Sequence, residues 1–250
     1  MSFERGIIFH PRDIIAAKEV RRYVYLTTGS LPNFIRNFHI LTGHREIIVI
    51  TAPGTPLLHS VIDTLKALDS DSASSIEEVL RHMHHPESFS LCQFASKHGL
   101  LTVTLLLGSG ATGRLYAAYT LAEQLGVHFG LHADVLPDPT AAGGLPLASH
   151  SSAPLPLART CADGRVYAPG FDIRGLQPFH DFPEGPDWWA PEQYQHVVSQ
   201  LAKMKMNFIG LHTYPYSAQP NLTGHNEPTM WVGTKDHLRP DGTIRPSGAY

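Results

Sequence analysis

Through the first half of the chain, short unbroken apolar runs alternate with stretches in which apolar residues recur at helical spacing, the pattern of layered α/β structure. Residues 6–10, GIIFH, read as a compact strand. Asp13 then stands as the cap of a helix running through IIAAKEVRRYVYLTTG, with Ile14, Ala17, Val20 or Arg21, Val24 and Leu26 along its stripe and Gly29 as its stop. EIIVITA, residues 46–52, is the nearly continuous apolar run expected of a strand covered on both faces. Thr55 opens a helix through LLHSVIDTLKAL. DSDSASS reads as a small-polar loop or helix cap, IEEVLRHM as a short helix, and the residues from there to 99 as an inserted connection.

GLLTVTLLL, residues 99–107, is the strongest strand of this half, and GSGATG follows it directly at 108–113. A helix, RLYAAYTLAEQLG, comes next, and Asp134 lies further along, the layout of a dinucleotide-binding fingerprint. The competing reading is structural: glycines let a tight strand-to-helix turn close without a Cβ clash, and Tyr116, Ala117, Tyr119, Leu121 and Leu125 give the helix an apolar face for the sheet. VHFGL then forms another strand after Gly126.

Residues 137–168 change character, being rich in Pro, Gly, Ser and Ala with no period, so they are expected to link two domains, 1–136 and 169–250. In the second, residues 171–175, FDIRG, read as a strand, and 191–206 as an amphipathic helix on Tyr194, Val197, Val198, Leu201, Met204 and Met206. Residues 207–211, NFIGL, read as a second strand. That is one βα unit and the start of the next. Polar and aromatic residues crowd the strand ends: His180, Asp181, Trp188 and Trp189 after the first strand, His212 and Tyr214 after the second. A sugar offers hydroxyl edges and apolar C–H faces, so its site needs charged or imidazole groups beside aromatic planes. Asp181, Glu184 and Asp187 share one loop and are expected to recognise ligand or shape the loop, because glycoside hydrolysis needs carboxyl groups on opposite sides of the bond, roughly 5–10 Å apart.

FDIRG followed by a helix ending in LAKMKMNFIGLHTY resembles the start of the catalytic barrel of the family 20 glycoside hydrolases, the β-N-acetylhexosaminidases, and more loosely the family 67 α-glucuronidases. In both families an α/β domain precedes the barrel, and its last helix has a pattern like GATGRLYAAYTLAEQLG. The resemblance implies an N-terminal α/β sandwich-like domain similar to the second domain of hexosaminidases, followed by the first units of an incomplete (β/α)8 barrel. By the same resemblance Arg174 matches the arginine of the Arg-Gly pair that contacts the terminal sugar, and His212 a histidine at the end of the second barrel strand. The loop QPFHDFPEGPDWW departs from the hexosaminidase pattern, and the catalytic Asp-Glu pair of that family has no equivalent before Tyr250. A barrel needs roughly 250 residues by itself, so the expectation is a piece of a larger glycosidase. Its catalytic acids would lie beyond residue 250, and this chain alone would be inactive. A carbohydrate-binding protein without catalysis is the alternative, and a dinucleotide-binding protein the second.

The chain has 250 residues, 42% hydrophobic and 16% charged, with formal net charge −3. This balance withholds the basic footprint that nucleic acid requires. No apolar run approaches the roughly 20 residues of a membrane span. The N-terminus, MSFERGIIFHPRD, carries charges where a secretory signal has its apolar core, so a cytoplasmic chain is the default expectation; with an earlier start, Asn221 in NLT becomes a glycosylation acceptor. Cys92 and Cys161 are expected to be two unpaired thiols. The His82–His85 cluster is expected to be solvated, and no metal or other cofactor is expected, including at His180, Asp181 and His212.

Overall fold

The computed structural model describes residues 4–36, 44–68, 70–95, 101–138, 155, 165–178, 186 and 189–210. The chain divides into two compact units, Met1–Asp172 with Lys203–Lys205, and Ile173–Ala202 with Met206–Tyr250.

The first unit is built on β1 (Glu4–Phe9), β2 (Asn33–Phe34), β3 (His44–Thr51), β4 (Phe89–Ala95) and β5 (Thr102–Gly108), in the sheet order β2-β1-β3-β5-β4. β1, β2, β3 and β5 are parallel, and β4 closes the edge antiparallel to β5. Among the described residues four α-helices serve it, α1 (Ile14–Thr28), α2 (Pro56–Leu68), α3 (Ser70–His82) and α4 (Ala111–Gln124), and β6 (His128–Phe129) and β7 (Asp134–Val135) form a separate antiparallel pair. Successive strand residues point to opposite faces. Ile47 and Val49 therefore join the cluster that holds Leu58 and Val61 of α2 with Ile76 and Val79 of α3. Ile48 and Ile50 join the cluster that holds Ala17, Val20 and Val24 of α1 with Ala117 and Leu121 of α4. Burial on both faces is why these strands are apolar without alternation.

The sheet confirms the mixed α/β class and corrects several local expectations. A seven-residue strand, β4, stands where a connection was expected, and α3 begins at Ser70, inside the stretch that read as a loop or cap. In α1 the buried face is Ala16, Ala17, Val20, Tyr23, Val24 and Thr27, so it is rotated off Ile14, which is 36% exposed. Gly29 does stop α1 in a left-handed conformation, φ 70°.

Cys92, buried on β4, is disulfide-bonded, which corrects the expectation of two unpaired thiols. Proximity of thiols distant in sequence is a tertiary property that spacing does not carry. Cys161 lies outside the described residues.

Described parts of the Pro- and Gly-rich stretch are bonded into the first unit. Leu155 is fully buried, its N–H donating to Glu46 and its carbonyl accepting from Gln93 Nε2 at 3.0 Å. Tyr167 bridges Phe89 in antiparallel fashion and stacks on its ring at 5.0 Å. Beneath Leu155 lies a buried ion pair, Arg5 Nε to Glu46 Oε2 at 2.6 Å, between residues directly opposite in the β1–β3 register. Burial pushes the Glu46 carboxyl up, while Arg5, the Leu155 N–H and the Thr104 hydroxyl pull it back.

The second unit contributes β8 (Gly175–Leu176), α5 (Pro191–Lys203, whose last residue groups with the first unit) and β9 (Phe208–Ile209). β8 and β9 are parallel neighbours, so this is one βαβ unit; a barrel is not described. Among the described residues no helix is long and apolar enough to cross a membrane.

Candidate functional site

The sugar site expected in the second unit is only partly described. His180, Asp181, Trp188, His212 and Tyr214 lie outside the described residues, as does Asn221; Arg174 and Trp189 lie within them.

The strand expected at 171–175 starts at its last residue. Phe171 and Ile173 are 77% and 71% exposed, and β8 begins at Gly175, where an added Cβ would collide with the Phe208 carbonyl. Only glycine permits so close an approach of two backbones. Arg174 therefore sits at the amino edge of the pair. Its carbonyl accepts the N–H groups of Asn207 and Phe208, and its N–H donates to Asn207 Oδ1 at 3.0 Å.

Trp189 stands two residues before the first residue of α5. Its ring meets Tyr194 edge-on at 5.2 Å, and Tyr194 Oη donates to the Pro186 carbonyl at 2.6 Å. Gln177 and Gly210, each next after its strand, adjoin at the carboxyl edge of the pair, with 3.0 Å from the Gln177 side chain to where a Gly210 Cβ would stand. Sites on parallel α/β units form at this carboxyl edge. Arg174 thus leads into β8 at its amino end, and Trp189 precedes the amino end of α5. Within α5 the expected stripe is partial, with Leu201 buried and Val198 half-exposed.

The GSGATG turn has a packing explanation. A Cβ on Gly110 would stand 2.7 Å from the Pro86 carbonyl oxygen, and one on Gly113 2.6 Å from that of Ser88. Ser109 N–H donates to that same Ser88 carbonyl at 3.0 Å, and the two serine hydroxyls are hydrogen-bonded at 2.9 Å. The protein's own lead into β4 fills the approach that the glycines open. Gly113→Val is accordingly expected to cost about 1–3 kcal/mol in urea unfolding, as overpacking does; unchanged stability would refute the packing account.

Asp134, the acid at the fingerprint spacing, is also engaged. It pairs with Lys203 Nζ at 2.8 and 2.9 Å and accepts from Tyr23 Oη at 2.7 Å. Phe129 packs edge-on against both Tyr23 and Tyr119, at 5.4 and 5.5 Å. Burial pushes up the phenols of Tyr23 and Tyr119 and the Glu19 carboxyl beside them. Lys203, the last residue of α5, ties down this knot.

Histidines 82–85 do not converge. His82 Nε2 lies 2.8 Å from Glu78 Oε1 in an exposed pair, and His85 Nδ1 accepts the Glu87 N–H at 3.0 Å.

One concave place was not foreseen. At the carboxyl ends of β1 and β3 lies a cleft of about 530 Å³, bounded by Phe9, Arg12, Asp13, Arg36, Leu57 and Arg114 among others. Its signal in the sequence was slight, the basic turn HPRD directly after the first strand.

No protein-family model matches the chain, and no curated protein matches it either.

Proposed function

We propose that the chain is a glycoside-hydrolase-like protein whose second unit binds a glycan at the carboxyl edge of its parallel strands. The observation that carries this reading is the β8–α5–β9 unit with the Trp189–Tyr194 aromatic pair at the amino end of its helix. Aromatic planes at that edge suit the apolar face of a sugar ring, and the sequence before Trp189 supplies His180 and Asp181 for its hydroxyls. The resemblance of FDIRG and LAKMKMNFIGLHTY to the opening of hexosaminidase barrels supports the same reading, and assigns hydrolysis of an O-glycosyl bond by paired carboxyl groups to the intact enzyme.

The test is a glycan-array screen of the purified chain followed by titration of the best ligand. Saturable binding is expected, weakened in Trp189→Ala by about 3- to 10-fold, the worth of one aromatic contact. Absence of binding to any glycan, or an unchanged affinity in Trp189→Ala, would overturn the reading.

A further inference from the structure

We propose that the cleft at the carboxyl ends of β1 and β3 binds a small phosphate monoester with an apolar body. Its position follows from the topology. β1 lies between β2 and β3, and the chain leaves it through α1 to reach β2 on one side, then places β3 on the other. α1 packs on one face of the sheet and α2 on the other, so the connections leaving β1 and β3 part at this point. Such a reversal of strand order opens a crevice outside the carboxyl ends, the place where open α/β sheets bind ligands.

The charges in the crevice select an anion. Asp13 is buried and bonded to Arg114 Nε at 2.7 Å, and Arg114 Nη1 also donates to the Gly108 carbonyl, so that pair is internally neutral. Arg12 and Arg36 line the same cleft, and their guanidinium groups make no hydrogen bond or ion pair among the described residues. His10 Nδ1 accepts the Arg12 N–H at 3.2 Å and holds the turn that carries that arginine. Two uncompensated positive charges match the doubly charged phosphate of a monoester better than a single carboxylate, and guanidinium is the side chain suited to bidentate phosphate contact. Ile8, Phe9, Ala52 and Leu57 supply apolar wall, and about 530 Å³ is within the range of small-ligand sites. The ligand therefore carries an apolar or ring-shaped body behind its phosphate.

Calorimetric titration of the purified chain with phenyl phosphate, inorganic phosphate and benzoate tests this. Phenyl phosphate is expected to saturate one site per chain and to bind more tightly than either fragment. Arg12→Gln and Arg36→Gln are each expected to weaken it by about tenfold or more, the worth of a charged hydrogen bond. Both arginines are exposed, so the variants should keep the wild-type circular dichroism. Leu57→Trp, which narrows the cleft without touching its charge, is expected to weaken phenyl phosphate more than inorganic phosphate. The proposal is overturned if phenyl phosphate shows no saturable binding, if benzoate or inorganic phosphate binds as tightly, or if the double arginine variant binds as the wild type does.

Discussion

Replacing Glu46 by alanine is expected to lower the unfolding free energy by about 3–5 kcal/mol, the cost of removing one partner of a buried ion pair. Arg5 is 2% exposed and would keep its charge in a site that had offered it a carboxylate at 2.6 Å. The loss should exceed that ordinary cost at its lower end, because Glu46 also accepts the Leu155 N–H at 3.1 Å and stands within reach of the Thr104 hydroxyl. The double replacement Arg5→Met with Glu46→Leu separates these parts. It removes both charges, and apolar exchange of a buried pair is often neutral or stabilising. Here it leaves the buried Leu155 N–H without its acceptor, at a cost of about 1–3 kcal/mol. The double variant should therefore recover only part of the stability lost in Glu46→Ala, as read by chemical denaturation of all three proteins. Full recovery would show that Leu155 is not held by Glu46; a loss below about 1 kcal/mol in the single variant would remove the ion pair from any structural role.

That pair also shows which parts of the fold can be read from residues alone. β1, β3 and β5 are legible because a strand covered on both faces leaves an unbroken apolar run, and α1, α2 and α4 because a cap or turn residue precedes an apolar stripe. β4 is not legible, since FSLCQFA places Ser90, Cys92 and Gln93 inside it. Those polar groups are tolerable only because Ser90 Oγ donates to the Arg165 carbonyl and Gln93 Nε2 to that of Leu155, partners far along the chain. The start of α3 is hidden for a related reason: its polar first turn looks like a loop until Ala73, Ile76 and Val79 are seen to pack on the sheet. Strand order has no local signature at all, so the cleft between β1 and β3, with Arg12 and Arg36 in it, could not be anticipated. In the second unit the strands were read from the apolar pattern, but the residue at which the first of them begins was not. Beginning the strand at Gly175 instead of Phe171 moves Arg174 to the amino edge, and that displacement depends on how closely the Phe208 carbonyl approaches.

Reduction of the Cys92 disulfide is expected to lower stability by about 2–4 kcal/mol, the usual worth of a native crosslink. Cys92 lies in the middle of β4, 1% exposed, packed in the cluster that holds Phe94, Val103 and Leu105. Among the described residues β4 is an edge strand whose strand neighbour is β5, so it has less to hold it than β1 or β3. Its other ties come from the stretch that crosses it: Tyr167 pairing with Phe89, the Arg165 carbonyl accepting from Ser90, and Leu155 accepting from Gln93. A crosslink from β4 restrains the unfolded chain and keeps these contacts within reach of one another. Reduction should accordingly act in two stages: rapid hydrogen exchange at Phe89 and Tyr167, whose N–H groups bond each other's carbonyls, then a lower global midpoint. Burial of the sulfur predicts slow reduction under native conditions and fast reduction in denaturant. The measurement is thermal unfolding with and without reductant, with exchange followed by mass spectrometry on the 85–95 segment. Equal midpoints would mean that β4 is held by its sheet bonds and its ties to Leu155, Arg165 and Tyr167 without help from the crosslink. A lowered midpoint would tie the integrity of this edge to an oxidising environment, since thiols in a reducing one remain unpaired.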